Sequence, residues 1–240
     1  RNPGVYEYFK GITLKDVLFQ TGGFTDAASS QHIEIARRVK GDTAKNTVIA
    51  KVIEIATGKS IGEAQEPETE MSMLALKNGW AEQKPEDWWL HACNAVAKLK
   101  KKFNISRTQI KGIGISYQMH GLVLVDKQGQ PLRKSIIWCD SRAVEIGNEA
   151  FAAIGEQKCN EHLLNSPGNF TASKLKWVKE NEPEIYSQIH KFMLPGDYIA
   201  YKLSNVINTT ISGLSEGIMW DFKNDTFANF LFEHYGISNE

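Results

Sequence analysis

Residues 111–142 read KGIGISYQMHGLVLVDKQGQPLRKSIIWCDSR, and this stretch decides the fold that the sequence predicts. Apolar runs of this length, bounded by glycines and polar turns, favour strands over helices. We therefore expect strands at residues 111–117, 122–126 and 135–138, with a polar corner at 118–121 and a turn at 127–130. Polar side chains follow two of these strands, at 118–120 and 138–142. Because small-molecule sites are usually built at strand ends, the sequence predicts a binding site there.

The flanking sequence predicts an α/β domain around these strands. Residues 47–56 and 60–66 form a predicted strand hairpin with a turn at 57–59. Pro85 starts a predicted helix, whose apolar residues recur every three or four positions: Trp88, Ala92, Ala95, Val96, Leu99 and Phe103. Further helices are expected at residues 144–154, 159–164 and 227–235. Thr171 is expected to cap a helix, and Asp197 to cap a short one.

Composition excludes several classes of protein. The 240 residues carry 28 Lys and Arg against 28 Asp and Glu, which argues against nucleic-acid or membrane-surface partners that depend on bulk charge. No apolar run approaches the roughly 20 residues of a membrane span. The three cysteines are widely spaced and form neither a metal motif nor a disulfide framework, which favours the cytoplasm. Residues 1–40 carry no recognisable pattern and stay unassigned. Because residue 1 is Arg, the natural start is expected upstream.

The motif QMHG at residues 118–121, followed by LVLVD and SIIWCDSR, resembles the N-terminal domain of the FGGY carbohydrate kinases, and among them the xylulokinases. The stretch GWAEQKPEDWW at 79–89 and a signature containing Thr171, Lys174 and Trp177 extend the resemblance. It implies a ribonuclease-H-like (actin-like ATPase) α/β domain over residues 41–240, with a mixed central sheet flanked by helices. The family's C-terminal domain is expected after Glu240.

The resemblance assigns a sugar-binding site to five residues: Met119, His120, Trp138, Asp140 and Asn169. A polyol needs fixed hydrogen-bond donors and acceptors and an apolar face against its C–H groups, and these residue types supply both. Three alternatives stay open. His120 could be a satisfied histidine at a strand corner, Asp140 could form a loop-fixing ion pair with Arg142, and Asn169 could serve a turn. For Asp197, the preferred interpretation is a structural role as a helix cap.

For the complete enzyme, the resemblance implies transfer of the ATP γ-phosphate to a hydroxyl of D-xylulose, with Mg²⁺. No catalytic base and no metal ligand are assigned in this chain, since the family's general-base Asp is expected after Glu240. Asp42 aligns with the family's phosphate loop, although Ala44 replaces the loop glycine, and a surface loop is the alternative. The expected partners are the sugar, ATP and the missing C-terminal domain, and a homodimer stays open.

The sequence leaves two alternative functions open. One is an FGGY kinase for another substrate, such as gluconate, ribulose or glycerol. The QMHG motif favours xylulokinase over glycerol kinase, because glycerol kinases carry an Arg-Glu pair at this position. The other is a non-catalytic sugar-binding or interaction fragment, which the missing domain and Ala44 favour. We expect the isolated chain to be inactive as a kinase.

Overall fold

The computed structural model describes residues 46–238, which belong to the second of two units divided between Ala44 and Lys45. The described strands are β1 (Val48–Ile53), β2 (Ser60–Glu66), β3 (Glu82–Gln83), β4 (Val123–Val125), β5 (Ser135–Ile136), β6 (Lys191–Met193), β7 (Trp220–Asp221) and β8 (Thr226–Phe227). The described α-helices are α1 (Pro85–Phe103), α2 (Val144–Ile154), α3 (Glu156–His162), α4 (Thr171–Asn181), α5 (Pro183–Tyr186), α6 (Pro195–Ser204), α7 (Ile211–Glu216) and α8 (Asn229–Tyr235).

Four strands carry the predicted site, in the order β3, β5, β4, β6. In β3 and β5, Glu82 lies opposite Ile136, and in β4 and β6, Leu124 lies opposite Phe192. A bridge between Leu122 and Ile136 joins these two ladders. The β1–β2 hairpin and the β7–β8 pair are separate ladders. All pairings within residues 46–238 are antiparallel, so the parallel pairings of a mixed sheet are not among them.

Strand β4 is buried on both faces. Val123 and Val125 pack in one apolar cluster with Trp88 of α1, whereas Leu122 and Leu124 pack in another with α2, α4 and α8. Successive strand side chains point to opposite faces, so a strand between two cores reads as a continuous apolar run. Full burial of each such side chain stabilises the fold by roughly 1.5–3 kcal/mol. The polar corner at 118–121 is therefore anchored to a strand held from both sides.

Helix α1 begins and ends where its local signals predict. Pro85 occupies the first turn, where its missing N–H is not needed. Glu86 and Asp87 follow at the positive end of the helix dipole, and three exposed lysines at 100–102 lie at the negative end. The helix stops at Asn104, whose φ of 50° is left-handed. Among residues 46–238, the helices are too short or too polar to reach across a lipid bilayer.

The strand predicted at residues 111–117 is wrong for the described structure. These residues pair with no strand within 46–238, and Ile113 is 69% exposed. A strand needs a neighbouring edge to satisfy its backbone N–H and C=O groups. Here the segment lines an open groove of about 1450 Å³ together with β1, α1 and α6 instead of pairing with them.

Most other predicted elements are confirmed. The second hairpin strand and helix α2 have the predicted bounds, and the turn after β4 forms with Asp126 Oδ1 accepting from the N–H groups of Gln128 and Gln130. The helix predicted at 159–164 lies earlier, at Glu156–His162. The prediction that Thr171 caps α4 is wrong. Thr171 is the first residue of the helix, and its hydroxyl donates to the carbonyl of Gly121 at 3.3 Å.

Candidate functional site

His120 lies at the polar corner that precedes β4, in a constrained backbone conformation. Its φ is 58°, in the left-handed region that non-glycine residues seldom adopt. Its N–H donates to Glu216 Oε1 at 2.8 Å, and its C=O accepts from Lys174 Nζ at 2.6 Å. Both bonds come from elements distant in sequence. The surrounding fold therefore holds this residue in place, as strained positions in proteins require.

The His120 imidazole is an uncharged polar group with an unused nitrogen. The ring lies edge-on to Phe170, with centroids 4.2 Å apart. Its Nδ1 is buried and has no hydrogen-bond partner among the described residues. Burial lowers the pKa of His120, and the Lys174 charge adds to this, while Glu216 opposes it. A neutral imidazole has one donor and one acceptor nitrogen, which suits a sugar hydroxyl.

Met119 and Trp138 supply exposed apolar surface at the two strand ends. Met119 is 55% exposed and Trp138 is 57% exposed. Trp138 follows the strand that bridges to the start of β4, and it lines the open groove with Gln118. Large exposed apolar side chains of this kind are the surfaces against which ligands pack. The structure thus leaves both predicted contact residues accessible.

The carboxylate of Asp140 is engaged within the protein. It is fully buried, and its Oδ2 accepts from the N–H of Ala81 at 2.6 Å. Both oxygens also accept from the Arg142 guanidinium, at 2.6–3.0 Å. The loop-fixing ion pair, one of the alternatives from the sequence, is therefore present. Direct sugar contact by Asp140 stays a prediction that this geometry disfavours.

Arg142 is the centre of this buried cluster. Its side chain is 1% exposed and lies 3.8 Å from the ring centroid of Trp80 and 4.8 Å from that of Trp177. Its Nη2 also forms an ion pair with Glu82 Oε1, at 2.8 Å. Guanidinium groups stack favourably on indole rings and bind carboxylates with two N–H groups. The cluster fixes residues 140–142 directly after the loop that carries Trp138.

Asn169 combines a structural bond with a free polar atom. Its Nδ2 donates to the backbone carbonyl of Asp140, which ties the turn before α4 to the loop after β5. Its Oδ1 is buried without a partner among residues 46–238. The next residue, Phe170, packs on the His120 ring, so Asn169 and His120 share one corner of the site. The turn role and the sugar role of Asn169 are therefore compatible.

Lys174 contributes to the site in a way that sequence reasoning missed. It was recognised only as part of the signature, yet its buried Nζ donates to the carbonyls of His120 and Ile137. Glu216, which binds the His120 N–H, was missed entirely. These partners lie 54 and 96 positions from His120, beyond the reach of any local pattern.

Asp197 is structural, as interpreted from the sequence, but it is not the cap residue of α6: the N-cap is Leu194, and Asp197 is the third residue of the helix and reaches back to it. Its Oδ2 accepts from the N–H of Leu194 at 3.2 Å and from the Thr209 hydroxyl at 3.0 Å. Burial raises the pKa of Asp197 and Glu216 adds to this, while the two hydrogen bonds oppose the change. Burial and Glu216 likewise raise the pKa of Tyr117. Tyr117, Asp197 and Glu216 thus lie close enough to interact beside the corner at His120.

The phosphate-loop prediction at Asp42 lies outside the described residues. Within residues 46–238, no group of three or more His, Cys, Asp or Glu side chains could hold a metal ion.

Comparisons with known proteins agree with this geometry. The model of the FGGY family of carbohydrate kinases, N-terminal domain, matches residues 46–240. A second model, the SLBB domain, matches residues 1–50, which include the region that the sequence left unassigned and Asp42. The two matches overlap only at residues 46–50.

Individual relatives match with similar coverage. Xylulose kinase of Bacillus subtilis (strain 168) is 34% identical over 171 residues, which is 69% of this chain and 33% of the relative. A crystal structure of a "xyloylose kinase" from Brucella ovis has a TM-score of 0.72 at 29% identity, covering 80% of this chain and 39% of that one. A gluconate kinase from Lactobacillus acidophilus has a TM-score of 0.71 at 22% identity, covering 80% and 38%, and shows the fold alone.

The chain spans about one third of the length of these relatives. The family match itself covers most of the chain, and its residues include every predicted sugar-site position. The fold around them is the ribonuclease-H-like, actin-like domain that the resemblance implies. The chain therefore belongs to the FGGY family of carbohydrate kinases, to whose N-terminal domain residues 46–240 correspond.

Proposed function

We propose that this chain forms the sugar-binding wall of a carbohydrate kinase. The complete enzyme transfers the ATP γ-phosphate to a hydroxyl of D-xylulose and produces D-xylulose 5-phosphate. One observation carries the proposal. His120 Nδ1 and Asn169 Oδ1 are both buried without partners among the described residues, at the corner beside the exposed Met119. A buried polar atom without a partner destabilises a fold by about 1–3 kcal/mol, which a ligand hydroxyl relieves.

The residues divide the work of holding a sugar. The neutral His120 ring and the Asn169 oxygen hydrogen-bond to hydroxyl groups, whereas Trp138 and Met119 pack against C–H groups. Holding the acceptor hydroxyl in one place removes much of the entropic barrier to transfer. The buried Asp140–Arg142 pair contributes by fixing the loop next to Trp138.

The remaining chemistry belongs to parts of the protein beyond this chain. ATP is the phosphate donor, and bound Mg²⁺ would neutralise phosphate charge during transfer. We place the general base and the adenine site in a C-terminal domain following Glu240. Asp42 remains a proposed phosphate-loop residue and a homodimer remains a proposed assembly. All three cysteines are free thiols, which supports a cytoplasmic location.

D-xylulose is the proposed substrate because the Bacillus subtilis relative is a xylulose kinase and the QMHG motif is intact. A kinase of the same family for another substrate, such as gluconate, ribulose or glycerol, is the second candidate. A non-catalytic sugar-binding fragment is the alternative from another class. We expect no turnover from the isolated chain with xylulose and MgATP.

Ligand-observed saturation-transfer NMR tests the proposal directly. The chain is mixed with D-xylulose, and glycerol and gluconate serve as comparators. Xylulose signal is expected from the wild type, and His120→Ala is expected to weaken binding by about 5- to 150-fold, the equivalent of losing one buried polar partner. His190→Ala, at an exposed histidine, is the matched control and is expected to bind like wild type.

Each outcome decides between the candidates. Xylulose signal lost in His120→Ala but kept in His190→Ala supports the proposed site. A stronger signal for gluconate or glycerol supports the second candidate. Absence of signal for all three compounds, from a sample folded by circular dichroism, overturns the proposal that this chain forms the sugar-binding wall. Kinase turnover by the isolated chain would contradict the assignment of catalysis to a further domain.

A further inference from the structure

Lys174 is a fully buried cation that the proposed sugar contacts do not use. Its relative exposure is 0%. Its Nζ donates to the His120 carbonyl at 2.6 Å and the Ile137 carbonyl at 3.0 Å, and no carboxylate lies within ion-pair distance among the described residues. A buried ammonium is expensive to desolvate, and an apolar side chain of similar volume is often tolerated as well in such a place. Stability alone therefore gives little reason for a lysine here.

The two carbonyls that Lys174 binds belong to the two strand ends of the site. One is the C=O of His120, whose own N–H is held by Glu216 in the left-handed conformation. The other is the C=O of Ile137, whose peptide bond leads directly into Trp138. A single side chain from α4 thus ties together the backbone at His120 and the backbone that leads into Trp138. Charge-assisted bonds to carbonyls are about twice as strong as neutral ones.

We propose that Lys174 is a positioning residue for the sugar site, holding the His120 and Trp138 backbones so that imidazole and indole face one ligand. This inference rests on the proposed function for its ligand, but its geometry stands on the two carbonyl bonds. Lys174 does not touch the sugar. It acts through the two peptide units that it ties together.

Because Lys174 is ionisable, the proposal also predicts a pH dependence of the site. Burial lowers the pKa of Lys174 to about 8, while Asp140 and Cys139 raise it and Arg142 lowers it further. His120 also faces the ammonium, and Glu216 lies behind His120. Above about pH 8 the ammonium loses its proton, so its bonds to the two carbonyls weaken. The backbone of His120 and Trp138 should then respond to pH.

The test compares Lys174→Met with Lys176→Met. Lys176 lies on the same helix, 22% exposed and paired with Glu180 at 2.9 Å, so it is a matched control. Cys139→Ser is present in every sample, because burial raises the pKa of that thiol and its titration would overlap. Xylulose binding is measured by saturation-transfer NMR. The backbone amide shifts of His120 and Trp138 are followed from about pH 6.5 to about pH 10.

The parent protein is the chain with only Cys139→Ser. We expect Lys174→Met to remain folded but to bind xylulose at least about tenfold more weakly than the parent, while Lys176→Met binds like the parent. The amides of His120 and Trp138 should show an inflection near pH 8 in the parent, which Lys174→Met removes. The pKa of His120 should rise in Lys174→Met, because the neighbouring cation is gone.

The two proposals fail in different ways. If the parent binds no sugar, the proposed function is overturned, and the amide titration, which needs no ligand, still decides the role of Lys174. Unchanged xylulose binding in folded Lys174→Met overturns the positioning role. If Lys174→Met does not fold, the pH titration of the parent protein tests the inference by itself. Amide shifts and xylulose affinity that stay flat over the whole range from about pH 6.5 to about pH 10 would then refute the inference.

Discussion

Replacing Asp140 by asparagine should strongly destabilise the domain. The carboxylate has no solvent exposure and is held by the Ala81 N–H and the Arg142 guanidinium. Asp140→Asn keeps the shape but leaves the Arg142 charge, 1% exposed, with Glu82 as its nearest carboxylate at 2.8 Å. Removing one partner of a buried ion pair destabilises by about 3–5 kcal/mol. Because Glu82 still compensates part of the charge, we expect about 3 kcal/mol.

Urea denaturation followed by tryptophan fluorescence measures this effect, since the midpoint falls while the slope stays constant. Glu161→Gln provides the contrast, because its pair with Lys223 lies on the surface and its loss should leave the midpoint unchanged. The double variant Asp140→Asn with Arg142→Met should be less destabilised than the sum of the single changes, because Arg133 still pairs with Glu82 at 2.5 Å and no unpaired charge remains.

The result that refutes this reasoning is a midpoint for Asp140→Asn close to that of wild type. Strict additivity in the double variant would also contradict it, since it would show that Asp140 and Arg142 do not depend on one another.

Two further predictions concern stability. Burial opposes ionisation of Asp221, but hydrogen bonds from His162 and Asn224 outweigh it and lower the pKa. As pH falls, the unfolded chain therefore protonates Asp221 before the folded chain does. The stability that ionised Asp221 contributes is fully present above about pH 4 and is lost as pH falls through the pKa of Asp221 in the folded protein. The urea midpoint should fall over this pH range in wild type, and Asp221→Asn should flatten that fall. Gly147→Ala should destabilise by about 1–3 kcal/mol although alanine favours helices, because its Cβ would collide with the Gly168 carbonyl. A melting temperature of Gly147→Ala equal to that of wild type would contradict this close packing.

Local signals were sufficient for most elements. The helix over Val144–Ile154 and the strand over Ser60–Glu66 have their predicted bounds, because caps, glycine turns and apolar periodicity act within a few residues. The strand expected at 111–117 shows the limit of such signals. Its apolar pattern indicates a strand, but a strand also needs a partner within hydrogen-bonding reach, and this segment lines the groove with β1 without pairing with it.

The sequence by itself determined which residues lie near the ends of β4 and β5, because the order of apolar runs and polar corners places Met119 and His120 before β4 and Trp138 after β5. Only the tertiary structure decided how those ends are held. Lys174 reaches His120 across 54 positions and Glu216 reaches it across 96. Buried charges and carbonyls must find partners wherever the packed chain brings them, and that requirement leaves no periodic trace in the sequence.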